Sequence, residues 1–338
     1  MRKVSISILV AAIVFAASCA KDATEDAYYG YHRALQAWIN VNCPGASPND
    51  SGVFILESKP GTGLAVGDSS YVFARYYRTD MKGNYAATNI DSLEERLYYR
   101  KASYYRGCDI WRMDQGYLPK GLEPVIKGMK EGGEVRLALP IDMSAVTYSA
   151  YTAFSQSESD NVIYYVKIER VVNDIYAYQD SVLAAFSKKY YDGMDSLSNG
   201  FYFKLKGRME DADTLVDETS HPLRYMGRRV EDMVMVDTNV RDTARKYDIY
   251  SSSATYDTLG VARYADISTM ISNAQVIEGF ARAVHEMRLG DTVEVFFRSD
   301  LGYGAGGSST IIPEYAPLFF RIYTDPALGK KDLDDEED

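Results

Sequence analysis

The sequence predicts an α+β protein of two domains, each a twisted antiparallel sheet wrapped on a short helix, with a longer helix joining them. The first observation behind this is an internal repeat. Gly121-Leu122-Glu123-Pro124-Val125-Ile126-Lys127-Gly128-Met129 lies 158 positions before Gly279-Phe280-Ala281-Arg282-Ala283-Val284-His285-Glu286-Met287, and the register continues through Gly132 and Gly290, Val135 and Val293, and Asp142 and Asp300. The second is strand-like enrichment in Val, Ile, Tyr and Phe over 53–56, 134–139, 162–168, 201–205 and 292–297. The third is size: 338 residues, 46% of them hydrophobic and 25% charged, are enough for two apolar cores.

Taken in order, Tyr28, Tyr31, Leu35, Trp38 and Ile39 recur at helical spacing, and Pro44-Gly45 ends the segment, so one amphipathic helix is expected over 28–40. Each copy of the repeat reads as a short helix, a glycine turn and a strand. The apolar faces are Leu122, Val125, Ile126 and Met129 in one copy and Phe280, Ala283, Val284 and Met287 in the other. A second long helix starts near Asn173-Asp174, carries Ile175, Tyr178, Val182, Phe186 and Tyr190 on one face and stops around Gly193. It is the expected connector. The expected boundaries are a targeting segment over 1–18, an anchor and helix over 19–49, domains over 50–172 and 198–325, the connector over 173–197 and an acidic solvated tail over 326–338.

The N-terminus addresses the chain to a compartment. Arg2 and Lys3 precede an apolar run over 4–17 and the small residues Ala16-Ala17-Ser18, the pattern of a signal peptide. An apolar stretch this short cannot cross a hydrocarbon layer for which about 20 helical residues are needed. Ala16-Ala17-Ser18-Cys19 resembles a bacterial lipobox, with Ala16 where Leu is usual, which implies acylation of Cys19; cleavage nearby with release of a soluble product is the alternative. Lys21, Asp22, Glu25 and Asp26 resemble the export signal of Bacteroidetes surface lipoproteins. The expected location is extracytoplasmic, lipid-anchored at the outer membrane through Cys19, on either its periplasmic or its surface face. Cys43 and Cys108 could pair in such a compartment without having to.

The net charge of −11 argues against nucleic acid as a partner, because binding it rests on counterion release by basic groups. The 29 tyrosines against 12 phenylalanines suit strands with one wet face, a sugar-stacking surface being the rival reading. His32, His221 and His285 are scattered, so no metal site is expected. There is no Gly-x-Ser-x-Gly elbow or Walker A pattern. Gly302-Tyr303-Gly304-Ala305-Gly306-Gly307 matches a dinucleotide fingerprint, but Ser308 to Pro313 follow where a helix would be needed. No cofactor is expected.

Val276-Ile277-Glu278-Gly279-Phe280, Met287, Gly290, Tyr303-Gly304-Ala305, Ile311-Ile312-Pro313 and Leu318-Phe319-Phe320 run without a gap over 275–323. This stretch resembles the C-terminal half of an FKBP-type peptidyl-prolyl cis-trans isomerase, so the resemblance implies two FKBP-like domains in a lipoprotein. The first copy resembles the family through Gly61-Thr62-Gly63, Gly67-Asp68, residues 121–129 and the strand over 162–168, but 143–161 replaces the Tyr-Gly-Ala and Ile-Ile-Pro segments. Its pocket is expected to be degenerate.

The resemblance implies that Phe280 floors a proline pocket in place of the family's common Trp, with Val276 and Ile277 as wall and the Ile277 N–H donating to a substrate carbonyl. It further implies Tyr303 as phenolic donor, Asp257 as acceptor near the twisting amide within a Tyr256-Asp257 pair, Tyr247 as the family's earlier pocket tyrosine, and Tyr256, Ile311, Ile312 and Phe320 as the remaining apolar surface. Ser308 stands where His is frequent. The implied activity is isomerisation of Xaa-Pro bonds in exported client proteins or proline-containing peptide segments. The rivals are a non-catalytic module that binds peptide or a partner protein, and a glycan-binding lipoprotein.

Overall fold

The computed structural model describes residues 27–97, 101–146, 160–208, 213–257, 260–274, 276–308 and 310–324. Cys19, the expected signal segment over 1–18, the acidic stretch over 326–338 and most of 143–161 lie outside them. The chain forms two compact units. The first comprises residues up to Leu97 with Trp111–Asn173, and the second comprises Tyr98–Ile110 with the residues from Asp174 on.

The first unit opens with α1 (Tyr29–Asn42), followed by β1 (Phe54–Lys59), β2 (Tyr71–Asp80), β3 (Tyr85–Thr88), α2 (Asp91–Leu97), β4 (Asp109–Arg112, of which Trp111 and Arg112 fall in this unit), α3 (Leu122–Lys127), β5 (Glu134–Leu139), α4 (Ile141–Ser144) and β6 (Val162–Val172). Its sheet runs β1-β5-β6-β2-β3, with β4 also on β2. In a strand, successive side chains face opposite ways. Leu137, Leu139, Tyr164 and Val166 therefore enter one core with Leu122 and Ile126 of α3. Ala138 and Ile163 face the other way and meet Leu35 and Ile39 of α1.

The second unit repeats this plan. It contains α5 (Ile175–Tyr190), β7 (Phe201–Gly207), β8 (Ser220–Arg229), β9 (Met235–Thr238), α6 (Arg241–Lys246), β10 (Gly260–Ala262), α7 (Ile267–Ala274), α8 (Glu278–Glu286), β11 (Thr292–Phe297) and β12 (Leu318–Thr324). The order β10-β8-β12-β11-β7, with β9 also on β8, matches that of the first sheet strand for strand. Val293, Val295, Phe297 and Phe320 meet Phe280, Ala283 and Val284 of α8. On the other face Phe296, Phe319 and Tyr202 meet Leu183 and Phe186 of α5. The helix expected as a connector is thus a packing layer of the second unit. Asp174 starts it by accepting hydrogen bonds from the Tyr176 and Ala177 N–H groups, both at 3.0 Å, which satisfies two of its otherwise unpaired donors. Each sheet has a helix on both faces, one more than the sequence predicted.

Two features explain why the repeat is legible. A Cβ on Gly279 would fall on the Phe297 ring, and one on Gly121 would lie 2.7 Å from the Leu139 side chain. In both units a glycine at the start of the inner helix lets it settle directly on the sheet. A buried asparagine then ties two strands in each unit. Asn239 accepts from the Tyr225 N–H at 2.9 Å and donates to the Leu223 carbonyl at 2.6 Å. Asn89 does the same with Tyr76 and Ala74, at 2.7 and 2.9 Å. Asn239→Ala strands a buried donor and a buried acceptor, and we expect it to lower stability by about 1–3 kcal/mol, read as a drop in the urea midpoint.

Candidate functional site

The site grows from β8, β9 and β12 of the second unit. Gly227 of β8 is paired both with Asp237 of β9 and with Phe320 of β12. A side chain at 227 is excluded, because its Cβ would lie 2.6 Å from the Phe320 ring. Two residues earlier on the same face, Tyr225 donates its phenolic O–H to the Asp237 carboxylate at 2.9 Å. The Tyr225 ring stands edge-on to Phe280, with centroids 5.4 Å apart, and Phe280 stands edge-on to Phe320 at 5.7 Å. Edge-to-face packing of this kind is the favoured geometry for aromatic rings. Val276, Ile277 and Ile311 pack on the same cluster with part of their surface open, while Ile312 is buried within it.

Tyr303 stands on the rim between two short 3-10 turns, Ser299–Leu301 and Gly304–Gly306, and is 37% exposed. The loop beyond it is tightly folded. The Tyr315 N–H donates to the Gly304 carbonyl at 2.8 Å, and Ser308 and Ile312 exchange backbone hydrogen bonds of 2.7 and 3.1 Å that present Ile311 between them. Gly307 takes a left-handed φ of +59°, which a side chain would strain.

The electrostatics centre on one carboxylate. Burial pushes the Asp237 pKa up, opposed by the Tyr225 O–H and the Thr238 N–H. Burial and then the Asp237 charge raise the pKa of both Tyr225 and Tyr303, so both phenols are held firmly as hydrogen-bond donors. The arrangement is an apolar ring box with donors at its edge. It contains no nucleophile set beside a base.

The structure brings Tyr303, Ile277, Val276, Phe280, Ile311, Ile312 and Phe320 together, and Tyr256 joins them. Tyr256 is buried, bears on Tyr225, and its hydroxyl accepts from the Ser251 N–H at 2.9 Å. Two expected residues belong elsewhere. Asp257 has a left-handed φ of +64° and turns its carboxylate to Arg241 of α6 at 3.5 Å, so it is not the acceptor of the cluster. Tyr247 lies under the Arg228 guanidinium at 5.1 Å; Arg228 lines the sheet face that carries Phe186 and Phe319, away from the rings. Tyr225 and Asp237 hold the places that sequence reasoning gave to Tyr247 and Asp257. An aliphatic residue, Val236, precedes Asp237, so a search for an aromatic-Asp pair passes over it. The signal that could have found them is the Thr-Asn-Ile/Val repeat, Thr88-Asn89-Ile90 and Thr238-Asn239-Val240.

The first unit carries other residues at the equivalent positions. In the same strand pairing Ala87 replaces Asp237 and Arg78 replaces Gly227. Leu122 stands at the repeat position of Phe280, and buried Trp111 lies 5.5 Å from the Tyr76 ring.

Residues 229–323 match the family model described as FKBP-type peptidyl-prolyl cis-trans isomerase. The second unit is of the FKBP type. A 48-residue segment is 40% identical to FK506-binding protein 1 of Dictyostelium discoideum, covering 14% of this chain and 45% of that protein, so the chain spans less than half of the relative it matches. Among solved structures, the three FKBP domains of wheat FKBP73 align at 14% identity with a TM-score of 0.29, over 81% of this chain and 94% of that one. FkpA from Escherichia coli aligns at 17% identity with a TM-score of 0.31, over 51% and 73%. At such scores the family rests on the sequence match. The first unit shares the strand order of the FKBP-type unit and differs from it at the site.

Glu314, in the loop after Ile311 of the FKBP-type unit, has its carboxyl pushed up to about 7 by burial and then by the Asp109 charge. A carboxyl whose folded value exceeds its unfolded one contributes stability in full below the unfolded value, near 4.5. That contribution is lost as pH rises through 7. The urea midpoint of the second unit should therefore fall between pH 5 and pH 8, and Glu314→Gln should flatten that part of the profile.

Proposed function

We propose that the second unit is a peptidyl-prolyl cis-trans isomerase acting at the Tyr225, Asp237, Phe280 and Tyr303 cleft. The observation that carries this reading is the half-buried Tyr225–Asp237 pair beside Phe280, with a phenolic donor, Tyr303, at the rim. The family match over 229–323 supports the same reading. Rotation about the Xaa-Pro bond needs no bond to break, but it sacrifices amide resonance, and the barrier is about 18–20 kcal/mol. The planar amide is the more charge-separated form, so an apolar box disfavours it relative to the twisted form. Hydrogen bonds at the edge then hold the twisted carbonyl. An acceleration of about 10⁴ requires about 5.5 kcal/mol of such differential binding. Phe280, Phe320 and Val236 supply the apolar floor for the proline ring, and Val276, Ile277 and Ile311 the walls. Tyr303 donates to the substrate carbonyl, as does the Ile277 N–H. Asp237, held by Tyr225, places negative charge beside the twisting nitrogen side of the amide.

The first unit, with Ala87 and Leu122 in place of the carboxylate and the ring, binds or positions clients without catalysing. The clients are proline-containing segments of exported proteins, met outside the cytoplasm by a protein tethered through lipid on Cys19.

In an exchange-NMR assay of a Phe-Pro peptide, free of coupling protease, Asp237→Leu should lower kcat/KM by at least about tenfold and Tyr303→Phe by several-fold. Asp257→Leu should leave it near wild type. Absence of turnover in the wild-type protein would instead favour the non-catalytic binding module. Labelled palmitate should enter the wild-type chain in bacterial cells and be absent from Cys19→Ala.

A further inference from the structure

The segment Tyr98–Ile110 precedes the first inner helix in sequence, yet it belongs to the second unit and lies outside the isomerase match over 229–323. Its described residues dock on Arg229, the last residue of β8. Arg229 lies two positions beyond Gly227 and four beyond Tyr225. Its side chain is 2% exposed. A guanidinium has five donors and no acceptor, so one this deeply buried must find acceptors for them. The Asp232 carboxylate takes Nε at 3.1 Å and Nη2 at 2.8 Å. Nη1 reaches two backbone carbonyls at once, that of Ser103 at 2.9 Å and that of Ile311.

The contact is reinforced on both sides. The Tyr105 ring lies 5.5 Å from the Arg229 guanidinium carbon, and its backbone N–H donates to the Thr310 carbonyl at 2.9 Å. Its hydroxyl donates to Glu231 at 3.2 Å. Asp232 already neutralises the Arg229 charge, so what remains for Nη1 is orientation. It ties the segment, the end of the strand that carries Tyr225, and the loop that carries Ile311 into one body.

We propose that Arg229 is a positioning residue of the isomerase cleft, and that the 101–108 segment is a strap holding the Ile311 wall in one place so that the cleft discriminates among residues flanking the proline. The inference rests on the isomerase reading of the cleft. Arg229 acts through its bond to the Ile311 carbonyl, its carboxylate partner being Asp232. Without the strap, the turn keeps its Ser308–Ile312 backbone pair and the Arg229–Ile311 bond to β8, but it loses the Tyr105 N–H at the Thr310 carbonyl and the ring that holds the Arg229 guanidinium in place, and its Gly307 end offers little resistance to movement. Tyr225, Asp237 and Tyr303 stay in place, so loss of the strap weakens recognition more than the isomerising step.

The test uses the full chain with Tyr105→Ala, Tyr105→Phe and Arg229→Lys. Amide hydrogen exchange over 308–312 should speed up by about tenfold in Tyr105→Ala and Arg229→Lys and remain near wild type in Tyr105→Phe, which keeps the ring. For a Phe-Pro peptide, KM should rise about fivefold in Tyr105→Ala with kcat within about twofold, while an Ala-Pro peptide changes less. If Arg229→Lys fails to fold, Tyr105→Ala decides. Unchanged exchange over 308–312 in Tyr105→Ala, or kcat falling with KM unchanged, overturns the strap. If the wild-type protein shows no turnover, the isomerase reading fails by itself, and peptide affinity by NMR titration with the same exchange data still decides whether the strap holds Ile311.

Discussion

The candidate site depends on how closely one short helix can lie on one sheet. Gly279 removes the side chain that would otherwise strike Phe297, and the neighbouring residue, Phe280, is thereby set among Tyr225 and Phe320. A methyl group at 279 would lift α8 and draw Phe280 away from both rings. Gly227 meets the same demand on the opposite side, where Phe320 lies across its backbone. Tight packing costs little where glycine allows it and a kilocalorie or more where it does not. Two glycines therefore govern the geometry of an aromatic site to which they contribute no atoms of their own chemistry.

Much of the fold is legible in the sequence because its strongest constraint is repeated. Glycine followed by an apolar helical face, a glycine turn and an apolar strand appears twice, and the strands expected over 134–139 and 292–297 are found at those bounds. The central strands β2 and β8 are harder to read. Arg75, Arg224 and Arg228 alternate with their inward residues, and Pro222 interrupts the second, so neither looks like the middle of a sheet. Phe280, Tyr303, Ile311 and Phe320 could be named because they lie in the gapless C-terminal stretch. Tyr225 and Asp237 could not, since Asp237 follows an aliphatic residue and becomes a neighbour of Tyr225 only through strand pairing. The long helix was recognised, but its role was not: an amphipathic stripe shows that a surface will be covered without saying which one.

The two units show what duplication preserves and what it releases. The asparagine that ties β8 to the turn after β9 has an equivalent in the first unit with the same two backbone partners, because a buried donor and acceptor on β2 need it equally. The carboxylate has no such structural duty. Ala87 fills its place in the first sheet, and the Trp111 ring lies against that of Tyr76 there. Fold and chemistry have separated at the level of single residues.

The strap has a consequence for how the chain can be divided. The obvious seam between the repeated halves, just before Asp174, is not where the folded bodies part, since Tyr98–Ile110 is integrated with the later half. Excising the C-terminal half at that seam would leave a guanidinium stripped of one carbonyl acceptor and of its aromatic cover. Such a fragment would be chemically distinct from the same residues within the intact polypeptide. The unit of inheritance and the unit of cohesion differ here by a dozen or so residues.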